Sequence, residues 1–271
     1  MLGLIHISAS KLFLAKAFYM PKDRILIRVY GDSLTCPRID LGIPYFDIYQ
    51  ELLADRCRIE WPNATVYVTT RSRPDAPITE LYEEAYIRDS IYFGKMSTDV
   101  LIIHCGICDC APRPIPRWVR NLIGGFPQKI LNLIIGIIHN SRARILRAGF
   151  LWRLTKPDVF RVTYIDWLRK AAQDCRLVYA INIAPTTHSN EMHSPGLSSS
   201  ISLFDHFISD AVKFVAAKNI FLIDAHREII SKTNGVMTYI DQADGHHLTR
   251  EGHILYSNLL TDLTVNHLND I

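Results

Sequence analysis

A chain of 271 residues that is 48% hydrophobic and 21% charged carries enough apolar material for one large α/β domain. A mean hydropathy of +0.07 excludes wholesale disorder, and no apolar stretch approaches the length of about 18 uncharged residues that a membrane-spanning helix needs. The net charge of +3 is unevenly spread: residues 113–161 hold ten basic residues and one acid, Asp158, a local +9 that leaves −6 for the rest.

In chain order, residues 1–23 come first, an apolar stretch interrupted by Lys11 and Lys16. It has no basic segment ahead of an unbroken apolar core and no small-residue cleavage site. It reads as a packed arm or short helix rather than a secretory signal, with the domain proper over 24–271. The first predicted strand spans 25–30 and ends in the tight turn Gly31-Asp32-Ser33. A helix is expected over 45–57, where Phe46, Tyr49, Leu52 and Leu53 share a face, then a strand over 64–70. The next helix, over 79–92, has Thr79 as its candidate N-cap. A third strand follows over 100–104.

The stretch at about 111–175 is too long for one crossover. It opens with prolines, continues through the very apolar 130–138 and the basic 142–147, and ends in a helix predicted over 164–174. It is expected to form a helical insertion of two or three helices. Its basic residues read either as a solvated layer or as a surface for an anionic membrane or polyanionic substrate. Aromatic interleaving is sparse and no nucleic-acid motif accompanies the charge, so no nucleic-acid partner is expected. Strands over 177–183 and 220–223 flank a helix over 202–218. The strands are rich in Val, Ile and Leu without clean alternation, as strands covered on both faces should be. Repeated β-then-α units predict a doubly wound α/β sandwich.

The six cysteines, Cys36, Cys57, Cys105, Cys108, Cys110 and Cys175, read as reduced, mostly buried thiols of a cytoplasmic protein. Cys105, Cys108 and Cys110 have no second Cys/His pair at ligand spacing nearby, so no metal is expected.

Two short segments carry chemistry. Ser33 stands at the C-terminal end of a strand, where the chain of an open α/β sheet turns toward the ligand crevice. Asp244 and His247 are three residues apart with Gly245 between them, a spacing that lets the carboxylate reach Nδ1–H and leaves Nε2 to take a proton. His246 is the competing imidazole, less well spaced. Thr249 then caps the last predicted helix. The plainer alternatives are a capped turn at Asp32-Ser33 and a polar loop ahead of that helix. The loop 185–193, with His188 and His193, opens onto the same crevice.

The blocks 27–34, with Gly31-Asp32-Ser33-Leu34, and 244–253, with Asp244 and His247, resemble the GDSL or SGNH hydrolase family in content and order, from about Arg24 onward. The resemblance implies a flavodoxin-like three-layer α/β/α sandwich with a parallel five-stranded sheet. It also implies acyl-ester chemistry by Ser33, His247 and Asp244, and no metal or other cofactor. Gly106-Ile107-Cys108-Asp109 stands where the family has Gly-x-Asn-Asp, so Cys108 replaces an oxyanion donor with a poor one. Gly106 or a neighbour is the expected main-chain donor beside Ser33. No glycine follows the second strand before Gly94, so the family's other main-chain donor has no assigned counterpart; another backbone amide or an arginine, Arg71 or Arg113, is the candidate substitute. Arg113 reads either as a clamp for an anionic substrate group or as one more solvated arginine. The expected function is hydrolysis of an O-acyl ester, acetyl in the first instance, on a small molecule, glycan or glycolipid. An O-acyltransferase and an impaired binding protein of surface-polysaccharide metabolism are the alternatives. A cytoplasmic location is expected, with membrane association open through residues 113–161.

Overall fold

The computed structural model describes residues 23–89 and 98–269. The expected N-terminal arm, up to residue 22, and the end of the helix predicted over 79–92 lie outside the described residues.

Five parallel strands build one sheet: β1 (Arg24–Gly31), β2 (Thr65–Ser72), β3 (Thr98–His104), β4 (Cys175–Ile181) and β5 (Ile220–Ile223), in the order β2-β1-β3-β4-β5. The expected flavodoxin-like architecture is therefore present. This order reverses direction between β1 and β3, and ligand crevices in such sheets open at the C-terminal ends of the strands at that point. Gly31 pairs with Ser72 on one side and His104 on the other, so three loops leave the sheet together at one edge.

The helices are α1 (Tyr49–Glu60), α2 (Ile78–Glu83), α3 (Ile107–Cys110), α4 (Arg117–Ile123), α5 (Gln128–Arg147), α6 (Pro157–Asp174), α7 (His188–His193), α8 (Leu197–Val215), α9 (Ala225–Ser231), α10 (Gly235–Tyr239) and α11 (Arg250–Asn269). One side of the sheet packs Ile25, Ile27 and Val29 against Tyr49 and Leu53 of α1 and Tyr256 and Leu260 of α11. The other packs Tyr30, Leu101 and Ile103 with Trp167 of α6 and Phe204 of α8. Successive strand residues point to opposite layers, which is why both sets are apolar and β3 is buried along its whole length.

Several boundaries differ from expectation for identifiable reasons. The helix expected from Thr79 starts at Ile78, whose N–H donates to the Asp109 carboxylate at 3.0 and 3.2 Å. A carboxylate from α3, distant in sequence, thus does the work expected of a local cap. The helix expected over 164–174 begins at Pro157, a residue pre-set for a first helical position. Phe160, Tyr164, Trp167, Leu168 and Ala171 bury one face of it, so α6 belongs to the packed layer. Of the twenty residues of α5 only Leu146 is buried. Thr249 does cap the last helix, accepting from the Gly252 N–H at 3.1 Å.

Candidate active site

At the end of β1 the chain makes its turn with no room to spare. A Cβ on Gly31 would stand 2.3 Å from Thr35 Cγ2 and 2.8 Å from the His104 carbonyl oxygen, so only glycine lets this turn close against β3. Asp32 follows, fully buried. One of its oxygens accepts the Leu34 N–H at 3.1 Å and caps the short 3₁₀ turn Ser33–Thr35. The other accepts the N–H of Gly106 at 3.0 Å and of Cys108 at 3.5 Å. Asp32 thereby staples the serine turn to the loop after β3. Burial raises its pKa to about 6, the donated N–H groups working in the opposite direction.

The second element is the loop ahead of α11. Oδ1 of Asp244 accepts the N–H of His246 at 3.1 Å and of His247 at 3.0 Å. Oδ2 stands 2.7 Å from His247 Nδ1 and takes Nη1 of Arg38 at 2.8 Å. His246, by contrast, turns Nδ1 to the Asp244 main-chain oxygen at 3.1 Å. Burial alone would raise the Asp244 carboxyl. The hydrogen bonds from His247 and Arg38 outweigh it and hold the group far below the usual carboxylate range. With Nδ1–H directed at the carboxylate, Nε2 of His247 is left as the acceptor. Gly245 makes the loop possible at φ +77°, and its carbonyl accepts Thr187 N–H at 3.0 Å and Thr186 Oγ1 at 2.8 Å. The loop after β4 therefore clamps this one in place.

Ser33 and the Asp244–His247 pair line one cleft of about 700 Å³ at the C-terminal edge of the sheet. Cys108 lines it as well, only 7% exposed, with its thiol near the Ser33 amide. Burial, followed by the charge of Asp32, holds Cys108 as a neutral thiol. Gly106 differs from expectation: its N–H is directed at Asp32 and not at the space beside Ser33. Arg113 is in the cleft wall, where it donates to Asp75 at 3.1 Å and to the Cys108 carbonyl at 3.4 Å. Arg71 pairs with Asp89.

After β2, the Ala76 N–H donates to the Arg73 carbonyl at 3.2 Å across a turn with Pro74 second and Asp75 third at φ +60°. That is the pattern of a type II turn with an aspartate where glycine is favoured. The Arg73 N–H is taken by the Gly31 carbonyl at 3.3 Å and Pro74 has none, which leaves Asp75 as the donor-bearing residue of this turn that lines the cleft. Asp109 is a further residue that motif reading left without a role. It is buried, caps α2, accepts from Thr155 Oγ1, and burial raises it to about 7.

Asp244, His246 and His247 place three potential ligand atoms within 4.8 Å of one another. Arg38 already brings a positive charge to that carboxylate, so a metal there would compete with a guanidinium. The six cysteines are free thiols.

The sheet order and the cleft at its reversal define an α/β protein of the class to which several ester hydrolases of known structure belong. The chain is similar to a lipase/acylhydrolase from Enterococcus faecalis at 14% identity and a TM-score of 0.60, over 89% of this chain and 96% of that one. It is similar to an acetylxylan esterase from Geobacillus stearothermophilus at 12% identity and a TM-score of 0.55, over 90% and 94%. An α/β hydrolase from the metagenome of Lake Arreo, Spain, matches at 13% identity and a TM-score of 0.56, over 91% and 97%. At such identities the likeness is one of fold. No protein-family model and no curated protein sequence matches the chain.

Proposed function

We propose that the protein is a serine ester hydrolase of the SGNH type, cleaving an O-acyl ester, acetyl in the first instance, of a glycan or glycolipid. The observation that carries this reading is the Asp244–His247 hydrogen bond of 2.7 Å in the cleft that Ser33 also lines. The printed names of the structural neighbours, an acylhydrolase and an acetylxylan esterase, support the same chemistry.

In this mechanism Ser33 Oγ attacks the ester carbonyl carbon while its proton passes to Nε2 of His247. Asp244 stabilises the imidazolium. The tetrahedral oxyanion takes the Ser33 N–H and the Asp75 N–H. Collapse breaks the bond to the alcohol, which leaves with the proton from His247. Water then attacks the acyl-enzyme, gives its proton to His247, and the acid departs as that proton returns to Ser33.

A second reading, an impaired binding protein, is favoured by one observation: a buried neutral thiol, Cys108, stands where the resemblance puts an oxyanion donor; an O-acyltransferase would use the same site. Labelling with a serine-directed fluorophosphonate, followed by intact mass, separates the readings. Uptake by the wild type and none by Ser33→Ala, with parallel loss of p-nitrophenyl acetate hydrolysis, supports the enzyme. A folded wild type that neither labels nor hydrolyses sinks it, and product analysis with an added acceptor alcohol separates transferase from hydrolase.

The basic helical insertion suits peripheral contact with an anionic membrane, through residues 113–161. On the outer face of α5, Ile130, Leu133 and Ile137 are 46%, 65% and 57% exposed, and Lys129, Arg144 and Arg147 share that face by helical spacing. No described helix is long and apolar enough to cross a membrane, so the contact would be superficial.

A further inference from the structure

We propose that the cleft contains an anion subsite, centred on Arg142 with His139 and His193 beside it, which holds a phosphate or carboxylate group carried by the ester substrate. The identity of the ligand as a substrate rests on the hydrolase reading; the subsite itself does not.

Arg142 projects from the inner face of α5 into the wall of the catalytic cleft. Its Nε donates to Ser194 Oγ at 2.7 Å and its Nη2 to the Pro112 carbonyl at 2.5 Å, both neutral acceptors. Among the described residues no carboxylate pairs with it. The carboxylate of Asp75 in the same wall does not supply the missing charge, because it is already shared by Arg113 and Arg120, at 3.1 and 2.9 Å. Burial, and then the charge of Arg113, work against the charged form of Arg142. A guanidinium nevertheless stays protonated in proteins, and a half-buried cation without a counter-ion is costly.

The histidines add donors at the same place. His139 and His193 line the cleft with ring centroids 4.7 Å apart. Burial first, then His139 and Arg142, depress the pKa of His193, so these groups repel one another's charge. An oxyanion set among them would relieve that repulsion, and the planar fork of Arg142 has an uncommitted Nη1 to offer it. Ser33 and Arg142 line one cleft, so a single molecule can present its ester to the first and its anion to the second. The sequence offers Arg113 for this role; the structure favours Arg142, because Arg113 has a carboxylate and Arg142 has none among the described residues.

The test uses matched acetyl esters: 4-acetoxybenzoate, 4-acetoxyphenyl phosphate, and the neutral 4-acetoxybenzamide. The wild type should show kcat/KM at least tenfold higher for one anionic ester than for the amide, and the better of the two identifies the anion. Arg142→Met should collapse that ratio, Arg142→Lys should restore part of it, and His139→Gln, at an exposed position that folding tolerates, should lower it severalfold. Equal kcat/KM for charged and neutral esters, or a ratio that survives both Arg142→Met and His139→Gln, overturns the subsite. Should the wild type hydrolyse none of the three, the hydrolase reading fails and calorimetric titration with inorganic phosphate at fixed ionic strength judges the subsite. Saturable binding weakened at least tenfold in Arg142→Met and severalfold in His139→Gln upholds it; no binding, or binding indifferent to both changes, removes it.

Discussion

Nδ1 of His247 lies 2.7 Å from Oδ2 of Asp244, and Nη1 of Arg38 meets the same oxygen at 2.8 Å. The carboxylate thus serves a fixed cation while it orients the imidazole. Asp244→Asn would offer a neutral amide in its place and weaken both contacts. The expected outcome is a fall in kcat on p-nitrophenyl acetate of roughly 10³–10⁴ with the fold intact. A fall of less than tenfold would show that Asp244 has only a structural role.

Cys108→Asn should raise the rate. The thiol is a weak donor next to the Ser33 amide, and a well-placed oxyanion donor is worth roughly 10²–10³ in kcat. A gain of tenfold or more is expected in steady-state hydrolysis of the same ester. No gain in a correctly folded variant would mean that the asparagine cannot reach the oxyanion.

Gly245→Ala tests the clamp between the two loops. The residue sits at φ +77°, and an added Cβ would stand 2.3 Å from Asn190 Cβ and 2.4 Å from Thr187 Oγ1. Backbone strain and overlap together should cost roughly 2–4 kcal/mol in urea unfolding. Activity should fall with it, since the same turn holds Asp244. A variant as stable as the wild type would contradict the tight packing of this turn.

His104 supplies a pH prediction. It is fully buried, accepts or donates one bond with Tyr49 at 3.1 Å, and burial lowers its pKa to about 3. An unfolded histidine titrates near about 6.5. With the folded pKa depressed, its stabilising contribution is complete above the unfolded value and is lost as pH falls below it, because only the unfolded chain binds the proton. Asp32 and Asp109, raised to about 6 and about 7, act with the opposite sign over an overlapping window. The variant His104→Gln isolates the histidine: relative to wild type, the change in unfolding free energy from pH 7 to pH 5 should become more favourable by about 2 kcal/mol. An identical pH dependence in the two proteins would refute the assignment.

Membrane contact is checked by sedimentation with vesicles. Binding is expected to phosphatidylserine-containing vesicles and not to pure phosphatidylcholine, declining as salt rises. Leu133→Glu with Ile137→Glu should reduce it more than tenfold, since both side chains are exposed on the outer face of α5. Equal binding to neutral and anionic vesicles would remove the electrostatic part of the proposal.

Much of the scaffold is visible in local pattern. The strand expected over 220–223 coincides with β5, and the other four strands fall within a few residues of their apolar runs. The spacing of Asp244 and His247 predicts their contact because three residues of backbone with a glycine between them are enough to bring carboxylate to Nδ1. The start of the helix at Ile78 is not legible locally for the opposite reason: its cap, Asp109, is 31 positions away. The motif likewise places Gly106 or a neighbour toward the substrate, but the buried carboxylate of Asp32, 74 positions earlier, claims the Gly106 N–H.

The amino-acid order by itself determined the alternation of strands and helices, the serine at a strand end, and the reach of residue 244 to residue 247, because each depends on neighbours along the chain. Only the tertiary structure decided which charges are compensated. Arg38 meets Asp244 across 206 positions, Arg113 finds Asp75, and Arg142 finds no carboxylate among the described residues. Such pairings depend on how separate loops converge at one sheet edge, and Coulomb energy depends on distance in space and on burial, neither of which is written in the spacing of residues.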